Sequence, residues 1–152
     1  MRYEPVSPEM FKELATLAMA SEHWRWLPGA RRAHPEQGWA WRFHPCGWMA
    51  EDVYSERAKD TNAAFAFDEA LPDLQDDATK GCVLALLREA WDDECICLEA
   101  KARSNGGHVW KLSPGRWNTS SLRKKFVFVR KYSSEGQALV EGLLAAPKKV
   151  KT

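Results

Sequence analysis

From Cys82 to Leu87 every side chain is apolar, and polar positions return only at Arg88 and Glu89. Such a run predicts a helix packed on several sides. Asp76 can accept hydrogen bonds from the free N–H groups of a first turn, Asp77 suits the positive end of the helix dipole, and Pro72 bars an earlier start, so the helix should begin near Asp77. Two more stretches carry helical spacing. Ser7-Pro8-Glu9 is a cap followed by proline, and Phe11, Leu14, Ala15 and Ala18 then share one face, which predicts a short amphipathic helix from Pro8 to Ala20. Near the other end, Ser133 or Ser134 can cap a helix in which Ala138, Leu139, Leu143 and Ala146 share a face, stopped by Pro147.

Elsewhere the period is two. His23-Trp24-Arg25-Trp26-Leu27 alternates before Pro28-Gly29, and Trp39-Ala40-Trp41-Arg42-Phe43-His44 alternates before Pro45, which predicts two strands. Arg31-Arg32-Ala33-His34-Pro35, between them, has no period and reads as a basic loop. The pattern weakens over 46–70, where only Ala64-Phe65-Ala66-Phe67 reads as a short strand. Asp92-Asp93-Glu94 is an acidic turn. Residues 95–101 then read as a strand with Cys95 and Cys97 on one side and Ile96 on the other, and Asn105-Gly106-Gly107 turns the chain into His108-Val109-Trp110-Lys111-Leu112 to complete a hairpin. Lys125-Phe126-Val127-Phe128-Val129-Arg130, rich in β-branched and aromatic residues, predicts a third strand. The expected fold is therefore α+β: an antiparallel sheet with the central and C-terminal helices on one face, and an N-terminal helix with Trp-rich strands that extend the sheet or form a small second one.

At 152 residues and 45% apolar content, the chain is expected to be one domain over 1–147 with a flexible basic tail at 148–152. No apolar run approaches the ~20 residues that span a bilayer, and the first residues lack a signal-peptide segment, so no membrane partner and a cytoplasmic location are expected. In that compartment Cys46, Cys82, Cys95 and Cys97 should be reduced, and Cys82, Cys95 and Cys97 are expected to be buried and unreactive. A formal net charge of +1 argues against gripping nucleic acid by bulk positive charge.

Candidate chemistry is sparse. Asp73 with Glu99-Ala100-Lys101 resembles the carboxylates and lysine of metal-dependent nucleases, but Asp73 precedes the central helix instead of lying on a neighbouring strand, so it reads as a loop aspartate. His44, Cys46, Cys95 and Cys97 are zinc-ligand types at spacings that lack the usual two-residue gap. The order helix, three strands, helix matches double-stranded RNA-binding domains, without the lysines at the last helix that contact phosphates. No Gly-x-Ser-x-Gly, phosphate loop or metalloprotease helix is present. No enzyme and no cofactor are expected. What remains is a mixed segment in which Trp24, Trp26, Trp39 and Trp41 interleave with Arg25, Arg31, Arg32 and Arg42, either a binding surface or a core whose aromatic faces are covered by arginine stems.

Three stretches carry a resemblance to known proteins: His23-Trp24-Arg25-Trp26-Leu27-Pro28-Gly29, the central segment 71–91 with its Ala78-Thr79-x-Gly81-Cys82 core and Arg88-Glu89-Ala90-Trp91, and the terminal segment 137–147. They resemble small uncharacterised proteins encoded by tailed bacteriophages and prophages, whose relatives tend to have proline where this chain has Asp77. The resemblance implies a phage origin and a place in the host cytoplasm, and it transfers no activity. The expected function is that of a non-enzymatic phage accessory protein that binds a host or phage macromolecule, with a host or phage protein as the expected partner, such as an inhibitor of a host defence system like CRISPR. The alternative is a nucleic-acid-binding module that uses the Trp/Arg segment.

Overall fold

The computed structural model describes residues 8–32, 39–52, 71–104, 107–114 and 130–149. Among them it has three helices and two antiparallel sheets, an α+β fold. Helix α1, Pro8–Ala20, begins at the proline that presets its first turn. It buries Leu14, Ala15 and Ala18, as their spacing predicts.

Strands β1 (Arg31–Arg32), β2 (Trp39–His44) and β3 (Gly47–Asp52) follow and form a three-stranded sheet in that order. The Trp-rich segment thus makes a second sheet. Residues 23–27, expected as a strand, pair with nothing in a ladder, and Arg31-Arg32, expected as a loop, are the residues that pair with β2. The alternation of Trp24 and Trp26 comes from ring stacking on an unpaired segment. β3 was hidden in the weak region because it ends in Glu51-Asp52, yet Pro45 and Gly47 mark its hairpin: proline presets a turn, and Gly47 takes φ +125°, which other residues rarely adopt.

Helix α2, Asp77–Ala90, starts where expected, with the Asp76 carboxylate accepting from Thr79 N. It buries Thr79, Val83, Leu86 and Leu87, but leaves Gly81 and Ala85 exposed and Cys82 and Leu84 half-buried. The helix is amphipathic, not enclosed on every side, because small residues such as Gly and Ala lose little by facing water. Gly81 has open space where a Cβ would stand. Gly81→Ala is therefore expected to raise the unfolding free energy by about 0.5–1 kcal/mol, measured in urea, since only helix propensity changes. A loss of stability would show that this face is covered.

Two hydrogen bonds end α2: Asp92 N donates to Glu89 O at 3.1 Å and Asp93 N to Arg88 O at 2.9 Å, with Asp92 left-handed at φ 50°. This is the Schellman arrangement with aspartate where glycine is usual. Asp93 is buried and its carboxylate accepts from Cys95 N, so residues 93–96 form a turn with Ile96 buried in it. Strand β4 consequently begins at Cys97, spans Cys97–Ala102 and pairs with β5, His108–Ser113. Cys95 and Cys97 are exposed, against expectation, and Cys82 is half-buried; all four cysteines are unpaired. On the other edge of β5, Trp110 and Tyr132 exchange two N–H to O bonds of 2.8 Å. The expected strand at 64–67, residues 125–129 of the strand expected over 125–130, and the turn residues Asn105 and Gly106 lie outside the described residues, and Arg130 belongs to no strand.

Helix α3, Glu135–Leu144, is capped by Ser134, which accepts from Gln137 N. It packs against α1, α2, β5 and β4, so the chain is organised around this helix more than around α2. Gly136, Ala138, Leu139, Val140, Gly142 and Leu143 are buried, and the Trp91 indole donates to Gly142 O at 2.9 Å. Just beyond the helix, His23 Nε2 donates to Pro147 O at 2.8 Å and Lys149 N to a Glu22 carboxylate oxygen at 2.8 Å. Residues 150–152 lie outside the described residues. No helix among the described residues is long and apolar enough to cross a membrane.

Candidate functional site

Pro28-Gly29 turns the chain onto the three-stranded sheet. Gly29, at φ +101°, donates its N–H to Phe43 O at 2.8 Å, and Phe43 N donates to Ala30 O, which sets Arg31 opposite Arg42 and Arg32 opposite Trp41. Neighbouring residues on a strand point to opposite faces, so the register sorts the candidates into two groups. Arg31 and Arg42 share one face. Arg32, Trp41, Phe43 and Trp48 share the other, since Phe43 stands opposite Trp48.

The first face is ionic and inward. Arg31, only 7% exposed, donates from Nε and a terminal nitrogen to Asp73 Oδ2 at 3.3 and 3.0 Å, and its backbone N–H reaches Thr79 Oγ1 at 2.8 Å. Arg42 binds both carboxylate oxygens of Asp76 at 3.0 and 3.1 Å and also Gly29 O. Asp76 accepts from the Thr79 N–H and hydroxyl at 2.9 and 2.8 Å as well. One carboxylate therefore caps α2 and ties the sheet to it. Burial alone would push the Asp76 carboxyl up; the Arg42 and Thr79 hydrogen bonds and the Arg31 charge outweigh it and hold the carboxyl below its ordinary value. Asp73, read from sequence as a plain loop residue, is the buried partner of Arg31.

The second face is aromatic. Trp26 stacks edge-on against Trp24 at 5.2 Å between ring centroids and against Trp48 at 5.0 Å, and Trp48 meets Phe43 at 5.1 Å. The Arg32 guanidinium lies 4.6 Å from the Trp48 ring centroid and 5.7 Å from that of Trp41. Trp24 packs on the main core, while Trp26, Arg32, Trp41, Phe43 and Trp48 are half-buried. Arg32 Nε and Trp24 Nε1 are buried donors without a hydrogen-bond partner, Arg32 Nε being held against ring faces.

Of the candidates from sequence, Trp24, Trp26, Arg32 and Trp41 come together on this face. Arg31 and Arg42 are turned away and ion-paired. Arg25 makes an exposed two-point pair with Glu89 at 3.0 and 2.7 Å. Trp39 stands opposite Asp52 in the ladder, and its side chain lies outside the described residues. Sequence reading missed Phe43 and Trp48 as site residues; the Pro45-Cys46-Gly47 turn would have folded them against each other.

Glu99 and Lys101 are exposed on β4, and Asp73 is engaged by Arg31, so the nuclease-like residues form no constellation. No group of three or more His, Cys, Asp or Glu among the described residues could hold a metal ion. Neither protein-family models, nor curated proteins, nor solved structures match this chain.

Proposed function

We propose that the chain is a non-enzymatic phage accessory protein that binds a host or phage protein through the aromatic face of its three-stranded sheet. One observation carries this reading: Arg32 lies over two tryptophans within a half-buried cluster that includes Trp26. Trp and Arg dominate protein-binding hot spots, and rings fixed by stacking lose little freedom on binding. The alternative, a nucleic-acid surface, needs several arginines available to phosphates. Arg31 and Arg42 are instead committed to Asp73 and Asp76, and Arg25 to Glu89, which favours the protein-binding reading.

The phage resemblance makes a host defence component, such as a CRISPR complex, the first partner to test. Tagged protein is used to retain partners from host lysate with and without nuclease. A protein should be retained in both, and Trp26→Ala or Arg32→Ala, each with unchanged far-UV circular dichroism, should weaken its binding about 30-fold or more, the size of a hot-spot loss. Retention that vanishes with nuclease would instead make the segment a nucleic-acid surface. Substrate turnover by the purified protein would end the non-enzymatic reading.

A further inference from the structure

Strand β4 pairs with β5 along one edge only, and no described residue pairs with its other edge. Cys97, Glu99, Ala100, Lys101 and Ala102 are all exposed, and Leu98 is half-buried. The phase of the ladder is fixed. Trp110, opposite Ala100, turns its N–H and C=O away from β4 to Tyr132, while Arg103 N bonds to Gly107 O within the hairpin. In an antiparallel pair, residues that exchange both bonds alternate with residues that exchange none. Leu98, Ala100 and Ala102 therefore direct their N–H and C=O groups outward, at the free edge.

We propose that this edge is a homodimer interface, in which β4 pairs antiparallel with β4 of a second copy about a two-fold axis at Ala100. A two-fold axis between residues would set outward groups against inward ones, and an axis at Glu99 or Lys101 would set like charges directly opposite each other. An axis at Cys97 sets Glu99 against Cys95 of the second copy and leaves its charge unanswered. The remaining centres are Leu98, Ala100 and Ala102. An axis at Ala102 sets Lys101 against Arg103 of the second copy, a like-charge contact. An axis at Leu98 sets Glu99 against Cys97 and leaves its charge unanswered. The axis at Ala100 sets Glu99 against Lys101 of the second copy twice over by symmetry, in the more closely spaced pairs that exchange no backbone bonds.

In that register Leu98, Ala100 and Ala102 satisfy every outward backbone group, and the small Ala100 side chain stands at the axis. Glu99 already faces Lys111 within its own hairpin, so it becomes the centre of an alternating row of charge across the new sheet. Exposed edges are commonly guarded by charge, usually lysine. Here opposite charges two residues apart complement each other across the two-fold instead of repelling. The dimer is isologous and closed, and it carries the aromatic surface twice.

The test is sedimentation equilibrium of the full chain in reductant, which removes disulfide dimers through the exposed cysteines. A reversible monomer–dimer equilibrium is expected. Glu99→Lys or Lys101→Glu alone should weaken it about tenfold or more, because two attractive pairs become repulsive, and the double swap Glu99→Lys with Lys101→Glu should restore it. Ala100→Pro should abolish the dimer while the monomer still folds, since the N–H it removes is not used within the chain. A monomer at every concentration up to about 1 mM would overturn the proposal. So would a dimer indifferent to both Ala100→Pro and the charge reversals, because it would then form elsewhere.

Discussion

Replacing Asp76 with alanine is expected to lower the unfolding free energy by about 3–5 kcal/mol, the size of an effect in which a buried pair loses one partner. Three losses coincide at this position. The first turn of α2 loses its cap, which alone costs about 1 kcal/mol. Arg42, its side chain only 17% exposed, loses both carboxylate bonds and keeps Gly29 O. Arg31 retains Asp73 but loses the neighbouring charge 3.8 Å away. Asp76→Asn keeps an acceptor for Thr79 and should cost less than alanine. The sign of the pH dependence follows from the lowered carboxyl. A group whose folded value lies below its unfolded one contributes stability at pH above the unfolded value and loses it as pH falls through the folded value. The gap between the native chain and Asp76→Asn should thus be constant near neutrality and shrink below about pH 4. Urea titrations at several pH values measure it. A cost under about 1 kcal/mol for alanine, or a gap that does not change in acid, would show that the carboxylate is not the tie between sheet and helix.

The pieces of this arrangement were unequally visible in the sequence. Asp76 as the cap of α2, Ser134 as the cap of α3 and Pro8 at the start of α1 were legible because capping is local: a side chain bonds to a backbone group two or three residues away. Arg31 with Asp73 joins residues 42 positions apart, and nothing in either neighbourhood signals it. The same limit explains the arginines. Interleaving with tryptophan made Arg25, Arg31, Arg32 and Arg42 look equivalent, but the face each occupies depends on β-register, and that depended on whether 23–27 or Arg31-Arg32 paired with β2. A shift of pairing by one residue exchanges the two faces. The aromatic alternation at Trp24 and Trp26 was a true signal of extended backbone and a false one of pairing. The helical fold class was easier, since apolar spacing reports directly which face of a helix is buried. It overstated α2 at Ala85, which is exposed, and at Cys82 and Leu84, which are half-buried.

Gly142→Ala is expected to destabilise the chain by about 2 kcal/mol, although alanine is the better helix former. An added Cβ would lie 2.5 Å from Leu87 Cδ1 and 2.6 Å from Leu112 Cδ1. Both contacts are to the ends of side chains, which in open surroundings would swing away. Leu87 and Leu112 are fully buried, and they come from α2 and β5, so the methyl group presses on two elements at the point where α3 meets both. The helix cannot simply withdraw, because Gly142 O also accepts from the Trp91 indole. Two comparisons separate this steric effect from a general intolerance of substitution in α3. Gly136→Ala in the same helix places its methyl 3.5 Å from Leu74 Cβ, an ordinary contact, and should be neutral or stabilising. Leu112→Ala removes one of the two obstructing methyl groups, so the double variant Gly142→Ala, Leu112→Ala should lose less stability than the two single changes added together. Additive losses in that cycle would mean that the three elements approach less closely than this, and that Gly142 is required for some reason other than room.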